Sequence, residues 1–307
     1  MRALDLASGE VGWTDDAGSQ PPWQNPGVDN GEVTAVQGLV GATTTRFDEM
    51  TGARLGTTSD RIEARRGSRT LGQAATFDSS LDATRVLSGV DANAPGATWG
   101  GAYASGFLAP YSPLTLGAQR VYSAGVGLVP GGDGTSQGNG IRALISTPGA
   151  CAPFACPIWR LATDGTAATP PVLAPDESTV FTATTAGTVY AVDAATGALR
   201  WTAAVGSPVD QLPALANGLL YVAPRNGQVL AFAAEGCGAA TCAPQFKLDT
   251  GGPVSTQPAV AGGLVFAGTS DGSVLAFGAA GCGAATCAPM WSHELGFRIS
   301  AGPIVAY

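Results

Sequence analysis

The sequence predicts an all-β fold, a β-propeller of four-stranded antiparallel blades, and three observations carry that reading. One stretch recurs without a gap at an offset of 45 residues, short apolar runs alternate with turn dipeptides, and the composition is rich in glycine and proline. The 307 residues include 44 Gly and 21 Pro, far too many for a helical protein. Charged residues make up 12%, where about 25% is usual. Apolar residues make up 45%, enough for a core, and repetitive β folds use glycine and proline in this way.

The repeat is clearest between Pro213–Val222 and Pro258–Ala267. It continues through Asn226-Gly227-Gln228-Val229-Leu230-Ala231-Phe232 and Asp271-Gly272-Ser273-Val274-Leu275-Ala276-Phe277. It ends in Gly236-Cys237-Gly238-Ala239-Ala240-Thr241-Cys242-Ala243-Pro244, which returns as residues 281–289. Each residue of the second copy lies 45 positions after its counterpart. An upstream copy aligns Val180-Phe181 with Leu220-Tyr221 and replaces the cysteine loop by Ala194-Ala195-Thr196-Gly197-Ala198 before Trp201. A period near 40 to 45 residues per four-strand unit is that of propeller blades. The pairs Asn226-Gly227 and Asp271-Gly272 suit two-residue type I′ hairpins, in which both central residues have positive φ.

Read in order, the units cover 20–58, about 70–110, 113–161, 166–204, 208–249 and 253–294, as one domain over 1–307. The first sixteen residues read as the last two strands of a blade, and Ile299–Tyr307 as the first strand of one. Together they make a seventh blade with one strand missing. The chain therefore reads as a fragment, and a longer parent has room for eight blades. Neither a hydrophobic signal core at Met1–Leu6 nor an apolar run of the roughly 20 residues that span a bilayer is present. The net charge of −8 argues against nucleic acid and anionic lipid as partners, since both are bound by Lys and Arg clusters.

Two segments share the pattern A-x-D-x-x-[ST]-G-x-x-x-W: Ala3-Leu4-Asp5-Leu6-Ala7-Ser8-Gly9-Glu10-Val11-Gly12-Trp13 and Ala191–Trp201. This resembles the tryptophan-docking motif of pyrroloquinoline-quinone-repeat propellers, the quinoprotein dehydrogenase-like and BamB-like family. The resemblance implies that Trp13, Trp159, Trp201 and Trp291 pack between neighbouring blades and have no chemical role. It is strong over 166–294 and weak over 59–112. Within the motif, the Asp suits a turn in which its carboxylate caps backbone N–H groups, with Gly at positive φ.

The six cysteines form three C-x4-C pairs, Cys151/Cys156, Cys237/Cys242 and Cys282/Cys287, each just before a final strand. Even number and repeated placement point to three local disulfides and an oxidising, extracytoplasmic compartment: secreted, periplasmic or cell-surface. The alternative is a metal, but one pair supplies two ligands where structural zinc takes four.

A dehydrogenase of the resembled family implies an adjacent cysteine pair over the quinone and acidic ligands for calcium. The sequence has no Cys-Cys dipeptide and no acidic cluster of that kind, so catalytic, cofactor-binding and metal residues are read as none. Gly134-Thr135-Ser136-Gln137-Gly138 matches G-x-S-x-G, but a nucleophile elbow needs strand, turn and helix, and a glycine-rich loop is expected here. Asp133 and Asn139 read as part of that loop. His293, the one histidine, reads as an exposed strand residue, and Arg61, Arg65, Arg66 and Arg69 as a solvated edge, with an anionic partner or internal ion pairs as the sharper alternatives.

Two readings of function follow. The first is a non-catalytic extracytoplasmic propeller that binds or scaffolds protein or another cell-envelope component. Its binding face would carry Gln211, Arg225, Asn226, Gln257 and Asp271, in loops after second and fourth strands. The second is a truncated quinone-dependent dehydrogenase oxidising alcohols or sugars, with pyrroloquinoline quinone and calcium as cofactors.

Overall fold

In the structure, a computed structural model, the strands named below are described throughout, and the chain is described continuously over 157–299 except for Ala168. Side chains are described for Arg54 and for 115–125, 139–143, 158–167, 169–299 and 302.

The described residues contain strands and no helix. Strands β1 (Arg2–Leu4) and β2 (Val11–Thr14) form a two-stranded sheet. A four-stranded sheet follows from β3 (Gln24–Asp29), β4 (Glu32–Gln37), β5 (Thr43–Asp48) and β6 (Arg54–Thr58). The next has β7 (Ala64–Arg66), β8 (Arg69–Phe77), β9 (Ala83–Asp91) and β10 (Thr98–Ala104). Then come β11 (Leu114–Leu116), β12 (Arg120–Pro130), β13 (Gln137–Ile145) and β14 (Pro157–Ala162). A fourth sheet has β15 (Val172–Leu173), β16 (Thr179–Ala183), β17 (Thr188–Asp193) and β18 (Leu199–Ala204). The fifth runs β19 (Ala214–Ala216), β20 (Leu219–Val222), β21 (Gln228–Ala233), β22 (Phe246–Asp249). The sixth has β23 (Ala259–Ala261), β24 (Leu264–Gly268), β25 (Ser273–Gly278) and β27 (Trp291–Glu294). The short β26 (Thr286–Cys287) leaves that last sheet and pairs in parallel with β22.

Each four-stranded sheet is an antiparallel meander of sequential strands, as a propeller blade requires. Blade count beyond these six lies outside the described residues, because of Ile299–Tyr307 only residues 299 and 302 are described.

The chain divides into two compact units, one of Met1–Arg61, Pro213–Ala234 and Pro244–Tyr307, the other of Ile62–Leu212 and Glu235–Ala243. The first has a core of Tyr221, Val229, Phe246, Leu248, Val265 and Phe277 with their neighbours. The second packs Tyr122, Ile141, Trp159, Val180, Tyr190 and Val192. Burying each large side chain contributes about 1.5–3 kcal/mol. Central strands are buried on both faces, β16 along its whole length and β17, β21 and β25 at all but their end residues. This is why they read as nearly continuous apolar runs. An aromatic on a blade's second strand meets the Trp on its fourth: Tyr122 with Trp159, Phe181 with Trp201 and Phe266 with Trp291, at 6.1, 6.1 and 5.9 Å between ring centres.

Three expectations are corrected. Asn226 and Asp271 do not have positive φ; Gly227 and Gly272 do. In the sixth sheet Thr269 opposes Ser273, and Gly272 N–H donates to Thr269 O, so the hairpin loop has three residues and ends in a left-handed glycine. The two-residue turns with positive φ at both positions lie one hairpin earlier, at Asn217-Gly218 and Gly262-Gly263. The sheet read as beginning near residue 70 begins at β7, where Arg66 pairs with Arg69 across a tight hairpin; the side chains of the arginine cluster are outside the described residues. Finally, β12 and β13 extend to a Pro130–Gln137 pair, so Gln137 and Gly138 of the G-x-S-x-G match are strand residues in a long hairpin. A strand–turn–helix elbow is incompatible with that; residues 131–136 lie outside the described residues, Asp133 among them.

Candidate functional site

The functional geometry is built from loops, because the strands are consumed by the core. In the first unit the loops after second and fourth strands knit together at one end of the sheets. Thr250 N–H donates to Gly227 O, Ser270 N–H to Pro253 O, Ser255 N–H to Gly268 O and Leu295 N–H to Gly272 O. The left-handed Gly227 stacks on the Gly252 backbone, and a Cβ on Gly252 would meet Asp271 Oδ2 at 3.6 Å. The Asn226-Gly227 turn, Gly252 and Asp271 therefore form one continuous surface.

On that surface Arg225, Asn226 and Asp271 are exposed, and Gln257 is half-buried with the Gly302 backbone against its side chain. Asp271 accepts hydrogen bonds from the Thr269 hydroxyl and from Ser273 N–H. The Thr269 bond foremost holds its carboxyl below the usual Asp range, keeping the surface charge fixed. Gln211, the fifth predicted residue, belongs to the second unit and is half-buried just beyond Val209, whose N–H donates to Thr184 O.

Loops after first and third strands lie at the other end of the blades, and the four described cysteines are there. Cys237 is bonded to Cys242 and Cys282 to Cys287, with Cα separations of 5.6 and 5.8 Å. Cys151 and Cys156 lie outside the described residues. In the first unit the Cys282–Cys287 loop, with Asn217, Leu219, Gln245 and Phe246, lines a shallow groove.

The tryptophan motif is an interlock. Asp193 accepts from Ala195 N–H, Thr196 N–H and the Thr196 hydroxyl at 3.1, 2.9 and 2.8 Å, and pairs with Arg200 at 2.7 Å. The Arg200 bond first, then Thr196, lowers its carboxyl to a pKa of about 2. The turn so formed presents the Ala194 carbonyl, which accepts the Trp159 indole N–H at 3.0 Å. Gly197, at φ 77°, lies flat on the Trp159 ring. The same contact recurs between Gly236 and Trp201, and between Gly281 and Phe246. The Tyr221 hydroxyl donates to Ala279 O at 2.6 Å, and burial raises the Tyr221 pKa. The Trp291 indole nitrogen is buried without a partner among the described residues. His293 is half-buried on β27 opposite Val274.

Among the described residues no three His, Cys, Asp or Glu side chains converge as a metal site would require, and the four described cysteines are held in disulfides five positions apart. Among the described residues no helix is long and apolar enough to cross a membrane.

No curated protein matches the chain. Residues 157–237 match the family model described as outer membrane protein assembly factor BamB. The crystal structure of BamB from Moraxella catarrhalis superposes with a TM-score of 0.54 at 18% identity, covering 91% of this chain and 80% of that one. The sheet meanders and this superposition lead to one conclusion: the chain has a β-propeller fold, in which residues 157–237 are similar to the repeats of BamB.

Proposed function

We propose that this propeller is a non-catalytic binding or scaffolding module of the cell envelope, acting outside the cytoplasm on protein partners. The observation that carries the proposal is the continuous loop surface of Asn226-Gly227, Gly252 and Asp271, held by backbone hydrogen bonds and presenting exposed polar side chains. Loops fixed on a rigid sheet scaffold are where propellers and other β folds place recognition. The BamB-like repeats favour an envelope setting and assembly partners, and the closed disulfides favour an oxidising compartment. Gln211 and Gln257 are assigned to the same recognition role.

The test is photo-crosslinking in intact cells from a reactive residue placed at Asn226, Asp271 or Asn217, the last being at the opposite end of its blade. Adducts with envelope proteins are expected at the first two positions and not at Asn217. Equal adducts at all three, or none at Asn226 and Asp271, would overturn the assignment. Incubation with pyrroloquinoline quinone and calcium is expected to give no dye-linked oxidation of alcohols or sugars; turnover would establish the dehydrogenase reading instead.

A further inference from the structure

We propose that the Cys237–Cys242 and Cys282–Cys287 loops are redox-dependent hooks, each pairing in parallel with the outermost strand of the sheet it meets only while its disulfide is closed. Two independent copies show the same geometry. In the second unit, Thr202 N–H donates to Ala240 O at 2.9 Å and Cys242 N–H to Thr202 O at 2.8 Å, with Thr202 and Thr241 in a parallel bridge. In the first unit, Lys247 N–H donates to Ala285 O at 2.9 Å, and Lys247 and Leu248 pair in parallel with Thr286 and Cys287. The strands so capped, β18 and β22, would otherwise show an open edge.

The two cysteines of each loop differ in the same way. Cys237 and Cys282 are exposed, whereas Cys242 and Cys287 are 7% and 3% exposed, and Cys287 belongs to the core around Phe246 and Leu248. Each disulfide therefore ties a solvent-facing end to an anchored one. Between them lie Gly-Ala-Ala-Thr, residues with no large side chain to hold the loop in place. A hydrogen bond or two is small against the entropy of ordering such a segment, and the cross-link removes much of that entropy before docking. Opening the bond releases the loop from the strand it caps.

The chemistry balances with a small dithiol as reductant. Its thiolate attacks the exposed sulfur of Cys237 or Cys282, and the S–S bond breaks to a mixed disulfide as the buried partner leaves and takes a proton. The second dithiol sulfur then closes a cyclic disulfide, freeing the exposed cysteine as a thiol. Two electrons pass from dithiol to protein, and two protein thiols form.

Amide hydrogen exchange on the whole chain, before and after dithiol reduction, tests this. Exchange at Thr202 and Lys247 is expected to accelerate at least tenfold, with Val229 and Val265 in the inner strands unchanged. The double variant Cys282→Ser/Cys287→Ser is expected to accelerate Lys247 alone and leave Thr202 protected. Unchanged exchange at Thr202 and Lys247 after verified reduction would refute the proposal. So would equal acceleration of the inner strands in both experiments, since the disulfides would then support the fold at large rather than a hook.

Discussion

The indole of Trp159 donates its N–H to the carbonyl of Ala194, 35 residues away, while Gly197 from the same turn lies on the ring face. A Cβ at Gly197 would sit 2.7 Å from the ring carbons, in a backbone conformation that L-residues adopt at a cost. Gly197→Ala is therefore expected to lower stability by about 2–3 kcal/mol, from overpacking and left-handed strain together. Gly218, at φ 75°, has open space where a Cβ would go. Gly218→Ala should cost only the strain, about 1 kcal/mol. Chemical denaturation of both variants separates the terms; equal losses would show that the interlock adds nothing.

Trp201 is 2% exposed and packs on Gly236 and Phe181. Truncation to Ala should cost about 3–5 kcal/mol. Because Phe246 makes the corresponding contact with Gly281, Trp201→Phe should retain the fold with a loss of about 1–2 kcal/mol. Thermal melts of the two variants check the order.

Asp193 titrates near 2 in the folded chain against an ordinary value of 3.8, chiefly through Arg200 and then Thr196. A depressed carboxyl contributes stability that is complete above the unfolded value and is lost as pH falls through the folded one. The window is therefore pH 4 down to 2. Asp193→Asn should cost about 1 kcal/mol at neutral pH, the exposed ion pair adding little, and should flatten the stability profile across that window. A profile between pH 4 and 2 identical to that of the parent chain would contradict it.

Gly272 at φ 99° would place a Cβ 2.5 Å from the Phe297 carbonyl oxygen. Gly272→Ala should therefore push apart the Asp271 turn and the 295–299 loop. The expected result is a loss of about 2–4 kcal/mol together with faster amide exchange at Leu295, whose N–H donates to Gly272 O. Unchanged exchange at Leu295 would count against that coupling.

The blades over 166–294 are legible in the sequence because their central strands are buried on both faces and the repeat carries its own register. Turn type was misplaced for a reason that lies in pairing rather than composition. Asn217-Gly218 and Asn226-Gly227 are the same dipeptide, yet only the first closes a two-residue loop, since Ala216 pairs with Leu219. The disulfides follow from spacing, but nothing in C-x4-C names Thr202 or Lys247 as the partner of the loop. Of the predicted recognition residues, four lie in one unit on neighbouring loops and Gln211 in the other. Composition could place each in a loop but could not say which loops share hydrogen bonds.

The parallel pairing of Thr286 and Cys287 with β22 bears on how such chains can be shortened, permuted or recombined. A cut at Gly252, which looks like a clean seam between repeats, would strip β22 of its cap and leave an aggregation-prone border guarded only by Lys247 and Asp249. A cut after Pro289 keeps the β22 border sealed but removes β27 and bares β25. A module with no bare border therefore takes in both the four-strand meander and the whole of the following blade that carries the cysteine hairpin.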